Sequence, residues 1–188
     1  MSAPLPDRYQ QLLVEIRAEI PGFRVIKKSQ SPLHRAIHTA LIAITFGRMR
    51  GYLSDYQTTI RKTVYVTDDW DDLDSDQRYV TMRHERIHLR QFRRFTTPVM
   101  AVLYLLVPLP MGMSYFRAHF EKAAYAESIR AAAELWGRGH VESESYRERL
   151  IGQFTGPAYG WMWPFRQNLE TWYDSVLATL QVRVGKNA

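Results

Sequence analysis

No cysteine occurs in the 188 residues. Disulfides are therefore excluded, as are thiolate metal sites and cysteine nucleophiles, and any bound metal must be held by His, Asp or Glu. A cysteine-free chain also fits a reducing compartment. The opening MSAPLPDRYQQLLVEIRAEI has no basic stretch followed by an apolar one. It does not read as a signal peptide, and the reading is cytoplasmic. Internal repeats and low-complexity tracts are missing too. The apolar stretch PVMAVLYLLVPLPMGMSYF at 98–116 approaches the length of a membrane span, but Pro108, Pro110 and Gly112 divide it. It is expected to form two short buried segments, or a hairpin that touches a membrane peripherally. The net charge of +6 comes with no nucleic-acid-binding motif, so no nucleic-acid partner is expected.

The composition, 46% hydrophobic and 23% charged, suits a single domain over 1–188. Leu12, Leu13, Ile16 and Ile20 recur at helical spacing over 7–20, with Asp7 as the cap and Pro21-Gly22 as the stop. A second helix is predicted over 31–46, capped by Ser31 and entered through Pro32. Residues 58–67, TTIRKTVYVT, are β-branched and alternating. They predict one strand near a sheet edge, with Ile60, Val64 and Val66 on its apolar face. DDWDDLDSDQ at 68–77 lacks the central Gly and closing Glu of a calcium loop. It reads as a turn that caps the next helix through Asp74 or Ser75. Helices follow at about 75–95, 114–136, 141–151 and 165–181. Arg83, Arg86, Arg90 and Arg94 share one side of the third helix and read as a solvated face. The expected fold class is α+β, mostly helical, with a small sheet before the helix at 75–95. The N-terminal helices occupy 7–46 and the C-terminal ones 141–181.

That helix carries His84, Glu85 and His88 in the order H-E-x-x-H. Residues four apart on a helix are neighbours, so both imidazoles can reach one ion. Glu85 points about 100° round from His84. It can meet a water without ligating the metal. With 6 His and 10 Glu in the chain, the pattern arises by chance in roughly one such chain in a hundred. A second pair, His34 and His38, has the same spacing but no glutamate. It reads as part of an ordinary helix.

The motif helix and the downstream YFRAHFEKAAYAESIRAAAEL resemble the zincin metallopeptidases of the gluzincin type, and in particular small bacterial zincin domains. The resemblance spans about 58–130, and the metalloprotease core it implies runs over about 58–136. It implies a zinc ion held by His84, His88 and a glutamate of the second helix, with Glu121 in the E-x-x-A-Y portion. Tyr125 stands where the gluzincin pattern has an Asp. The other candidates for the third ligand are His119, Glu127 and Glu134. Glu121 is favoured by the small Ala124 beside it and by an apolar side of Phe120, Ala124 and Ile129 that would bury a carboxylate.

The implied activity is hydrolysis of peptide bonds in a peptide or protein substrate, by a zinc-activated water with Glu85 as general base. Tyr159, in the Gly-, Pro- and aromatic-rich FTGPAYGWMWPF at 154–165, is the candidate oxyanion donor. By resemblance, residues 60–66 would pair with an extended peptide. Two competing readings are a non-catalytic, zinc-stabilised interaction domain and a basic nucleic-acid or membrane-surface protein whose motif is incidental.

Overall fold

The computed structural model describes residues 7–44, 46–47, 50–95, 99, 115–156 and 162–184. The chain divides into two compact units, Met1–Arg93 and Arg94–Ala188. The division falls within the span assigned from sequence to the metalloprotease core.

The first unit begins with α1, Arg8–Glu19. Asp7 caps it as expected, its Oδ1 accepting from the Gln10 N–H at 2.7 Å. The chain then forms β1, Arg24–Lys27, a strand missed in the sequence because it is only four residues long. α2 covers Pro32–Ile44. The single strand expected at 58–67 is instead a hairpin of β2, Thr58–Ile60, and β3, Thr63–Val66. Arg61 turns the chain with φ of 56°, an arginine doing what Gly or Asn usually does. The turn was invisible because its sequence carries none of the usual turn residues. The sheet order is β1-β3-β2, with β1 parallel and β2 antiparallel to the central β3.

Asp74 caps α3, Ser75–Arg94: its Oδ1 accepts from the Gln77 N–H at 2.7 Å. The apolar faces meet in one core of Leu12, Leu13, Ile16 and Ile20 with Val64, Val66, Trp70, Met82 and Leu89. One polar tie crosses this core, the Trp70 Nε1–H donating to Tyr9 Oη at 3.3 Å.

Of the arginines expected to form a solvated row on α3, Arg90 and Arg94 are exposed, while Arg83 and Arg86 are half-buried. Arg86 donates to Glu15 and Glu19 at 2.9 and 2.8 Å. Arg90 makes two bonds to Glu19, at 2.6 and 3.0 Å. Arg93 donates to the Glu19 carbonyl at 3.0 Å. The end of α1 is thereby clamped to α3 beside the motif.

The second unit contains α4, Tyr115–Trp136, and α5, Arg138–Glu142. α6, Glu144–Thr155, and α7, Arg166–Val184, complete it. Gly137, at φ of 83°, ends α4 as predicted. The helix expected at 141–151 is broken at Ser143, which caps α6 and donates back to the His140 carbonyl at 2.7 Å. The core here is Ile129, Val141, Leu150, Ile151, Phe154, Leu169 and Tyr173, with the Tyr173 hydroxyl donating to the Val141 carbonyl at 2.5 Å. The architecture is α+β and mostly helical, with a small sheet ahead of α3. No helix among the described residues is long and apolar enough to cross a membrane. Of the stretch 98–116, only 99, 115 and 116 are described.

Candidate metal centre

His84 and His88 lie one turn apart in the middle of α3, where the backbone is held by regular helical bonds and neither end can fray. Their Nε2 atoms approach to 3.1 Å. Two nitrogens each about 2.0–2.1 Å from a tetrahedral zinc lie at about that separation, a little over 3 Å. His88 is buried, and its other ring nitrogen, Nδ1, is 2.9 Å from Gln91 Oε1. An amide oxygen can only accept, so Nδ1 carries the proton and the Nε2 lone pair is left for a metal. Gln91 lies one turn beyond His88 on the same helix. The i, i+3 spacing of His88 and Gln91 was the signal available in the sequence.

Glu85 is 5% exposed. A buried carboxylate needs a partner, and Thr59 of β2 is one: its Oγ1 donates to Glu85 Oε2 at 2.6 Å. The hairpin that the sequence hid is what brings Thr59 there. The register Thr59↔Val64 fixes its place on the strand, and Val64 is fully buried. Glu85 also feels the Lys28 ammonium. Lys28 is fully buried and donates to the Tyr52 and Tyr56 carbonyls at 2.8 and 2.6 Å, with the rings of both tyrosines 4.5 and 4.3 Å away. Burial pushes its pKa down to about 8, against the opposing pull of Glu85 and Asp55.

Of the four candidates for a third ligand, Glu121 is 5% exposed in α4, with Phe120, Ala124 and Ile129 also buried. Glu127 pairs with Arg130 at 3.4 Å. His119 stacks on Tyr115, and Glu134 is exposed. His84 and His88 belong to the first unit and Glu121 to the second, and each carries an atom able to ligate a metal ion. Imidazole nitrogens and carboxylate oxygens are donor types that zinc accepts. Tyr159 lies outside the described residues.

His34 and His38 form no group able to hold a metal ion among the described residues. The His34 ring is fully buried, its Nδ1 2.7 Å from Tyr52 Oη and its centroid 4.1 Å from that of Tyr65. Burial, with the Lys28 charge as a smaller cause, pushes its pKa down to about 4. In comparisons with known proteins, the chain matches no family model, no curated protein and no solved structure.

Proposed function

We propose that the chain is a zinc-dependent metallopeptidase in which His84, His88 and Glu121 hold the metal and Glu85 is the general base. One observation carries this reading: beside two imidazoles whose Nε2 atoms converge, a buried carboxylate is held by a threonine hydroxyl. A purely structural zinc site has no need of that carboxylate. A zinc ion, when bound, polarises a peptide carbonyl and makes water more acidic.

The chain's own residues then do the following. Gln91 keeps His88 in the tautomer that presents Nε2. Thr59 occupies Glu85 Oε2 and leaves Oε1 to accept a proton from water as the water oxygen bonds to the carbonyl carbon. Glu85 delivers that proton to the amine nitrogen as the C–N bond breaks. A peptide substrate would lie along β2. Residues 60–66 do not serve as one edge, because β3 already pairs on both sides while β2 is the outer strand. An extended segment added there runs past Thr59 and hence past Glu85.

Glu85→Gln is the test. Gln keeps the shape but cannot take the proton. The variant should retain about one zinc per chain by elemental analysis and lose cleavage of a peptide library that the wild type cleaves. Cleavage retained by the Gln variant removes Glu85 from the mechanism.

A further inference from the structure

The first turn of α4 and the residue that precedes α7 together present three large rings to solvent where a folded unit would ordinarily bury them. Tyr115, Phe116 and Phe165 are 54%, 48% and 56% exposed. They are not scattered. Tyr115 lies 5.6 Å from Phe116 and 6.0 Å from Trp163, and Trp163 lies 5.5 Å from Phe165. The platform is fixed from beneath: Met162 is buried, and the Trp163 backbone N–H donates to the Phe154 carbonyl at 2.9 Å. Lys122 extends over the Trp163 ring, its Nζ 5.1 Å from the centroid. Exposed rings with a long cation against one of them suit a surface that is apolar inside and anionic at its boundary.

The sequence that leads into this cluster has the same character. No charged residue occurs between Arg94 and Arg117, and Arg117 follows the first two rings directly. The chain as a whole carries +6.

We propose that the cluster of Tyr115, Phe116, Trp163 and Phe165, with Lys122 against Trp163, docks the protein on an anionic lipid bilayer. The rings enter the headgroup boundary and the Lys122 ammonium meets lipid phosphate. The proposal is independent of the metal reading and is tested without it.

The experiment is co-sedimentation of the full chain with phosphatidylcholine vesicles that contain phosphatidylglycerol, beside vesicles of phosphatidylcholine alone. Wild type should pellet with the anionic vesicles and be released by carbonate. The triple variant Tyr115→Ser, Phe116→Ser, Phe165→Ser should bind on the order of a hundredfold more weakly. Lys122→Glu should weaken binding to anionic vesicles and leave the weak binding to neutral ones unchanged. Phe46→Ser is the control, since Phe46 is 95% exposed and lies outside the cluster; it should bind as wild type does. Thermal melts of each variant separate lost binding from lost folding.

Three results would overturn the proposal. One is wild type that stays in the supernatant. Another is equal binding by the triple variant. The third is a wild-type dimer in light scattering that the triple variant dissolves, because the cluster would then be covered by a second copy of the chain.

Discussion

Two side chains hold the HExxH residues, Gln91 on His88 and Thr59 on Glu85. Under the proposed function, Gln91 sets which nitrogen of His88 is bare. Orienting partners of this kind are worth about 10–100-fold in metal affinity. Gln91→Ala should therefore raise the zinc dissociation constant by about that factor in a competition titration, and an unchanged constant would remove Gln91 from the site. Thr59 acts on Glu85 instead of the metal. Thr59→Val keeps the shape and removes the hydroxyl, so zinc content should hold at about one per chain while cleavage falls about tenfold or more. Thr59→Ser restores the hydroxyl and should restore cleavage. If Val and Ser behave alike, the hydrogen bond has no role.

At the scale of elements, Glu19 is the joint between α1 and α3. The hydrogen bond from Arg90, followed by that from Arg86, holds its pKa down at about 2. A lowered carboxylate pKa means stability that is present above about pH 4.5 and lost as pH falls toward 2. Glu19→Ala should cost about 1–2 kcal/mol in urea unfolding at neutral pH, and less in 1 M salt, where the exposed share of the pairing is screened. A salt-independent loss would assign the cost to packing instead.

This joint also marks what the sequence could and could not say. Helix positions were legible from apolar spacing and from caps such as Asp7 and Asp74, because those signals act within one turn. The motif was legible because its residues share one helix. The ion pairs of Arg86 were not legible because its partners, Glu15 and Glu19, lie some seventy positions earlier. Thr59 was hidden for a related reason. Its role depends on a hairpin turned by Arg61 in a positive-φ conformation, and no residue in TTIRKTVYVT announces that turn.

The molecule as a whole should show a buried-histidine signature in acid. His34 has its pKa pushed down to about 4 by burial. An unfolded chain binds the proton near pH 6.5 while the folded one refuses it until about 4. Stability is thus complete above 6.5 and is lost as pH falls through that window. Urea midpoints of chelator-treated protein should fall between pH 6.5 and 4, and the fall should be shallower in His34→Gln. Equal slopes would assign the loss to other groups. Chelation is needed because protons also compete with metal for His84 and His88.

The central claim is that one zinc is held by His84, His88 and Glu121, and a competitive zinc titration of three proteins tests it most directly. Wild type should bind about one zinc per chain. Glu121→Ala should bind more than about a hundredfold more weakly, while Glu127→Ala should match wild type, because Glu127 is engaged with Arg130. Tight, unchanged binding by Glu121→Ala, or a loss confined to Glu127→Ala, would contradict the account.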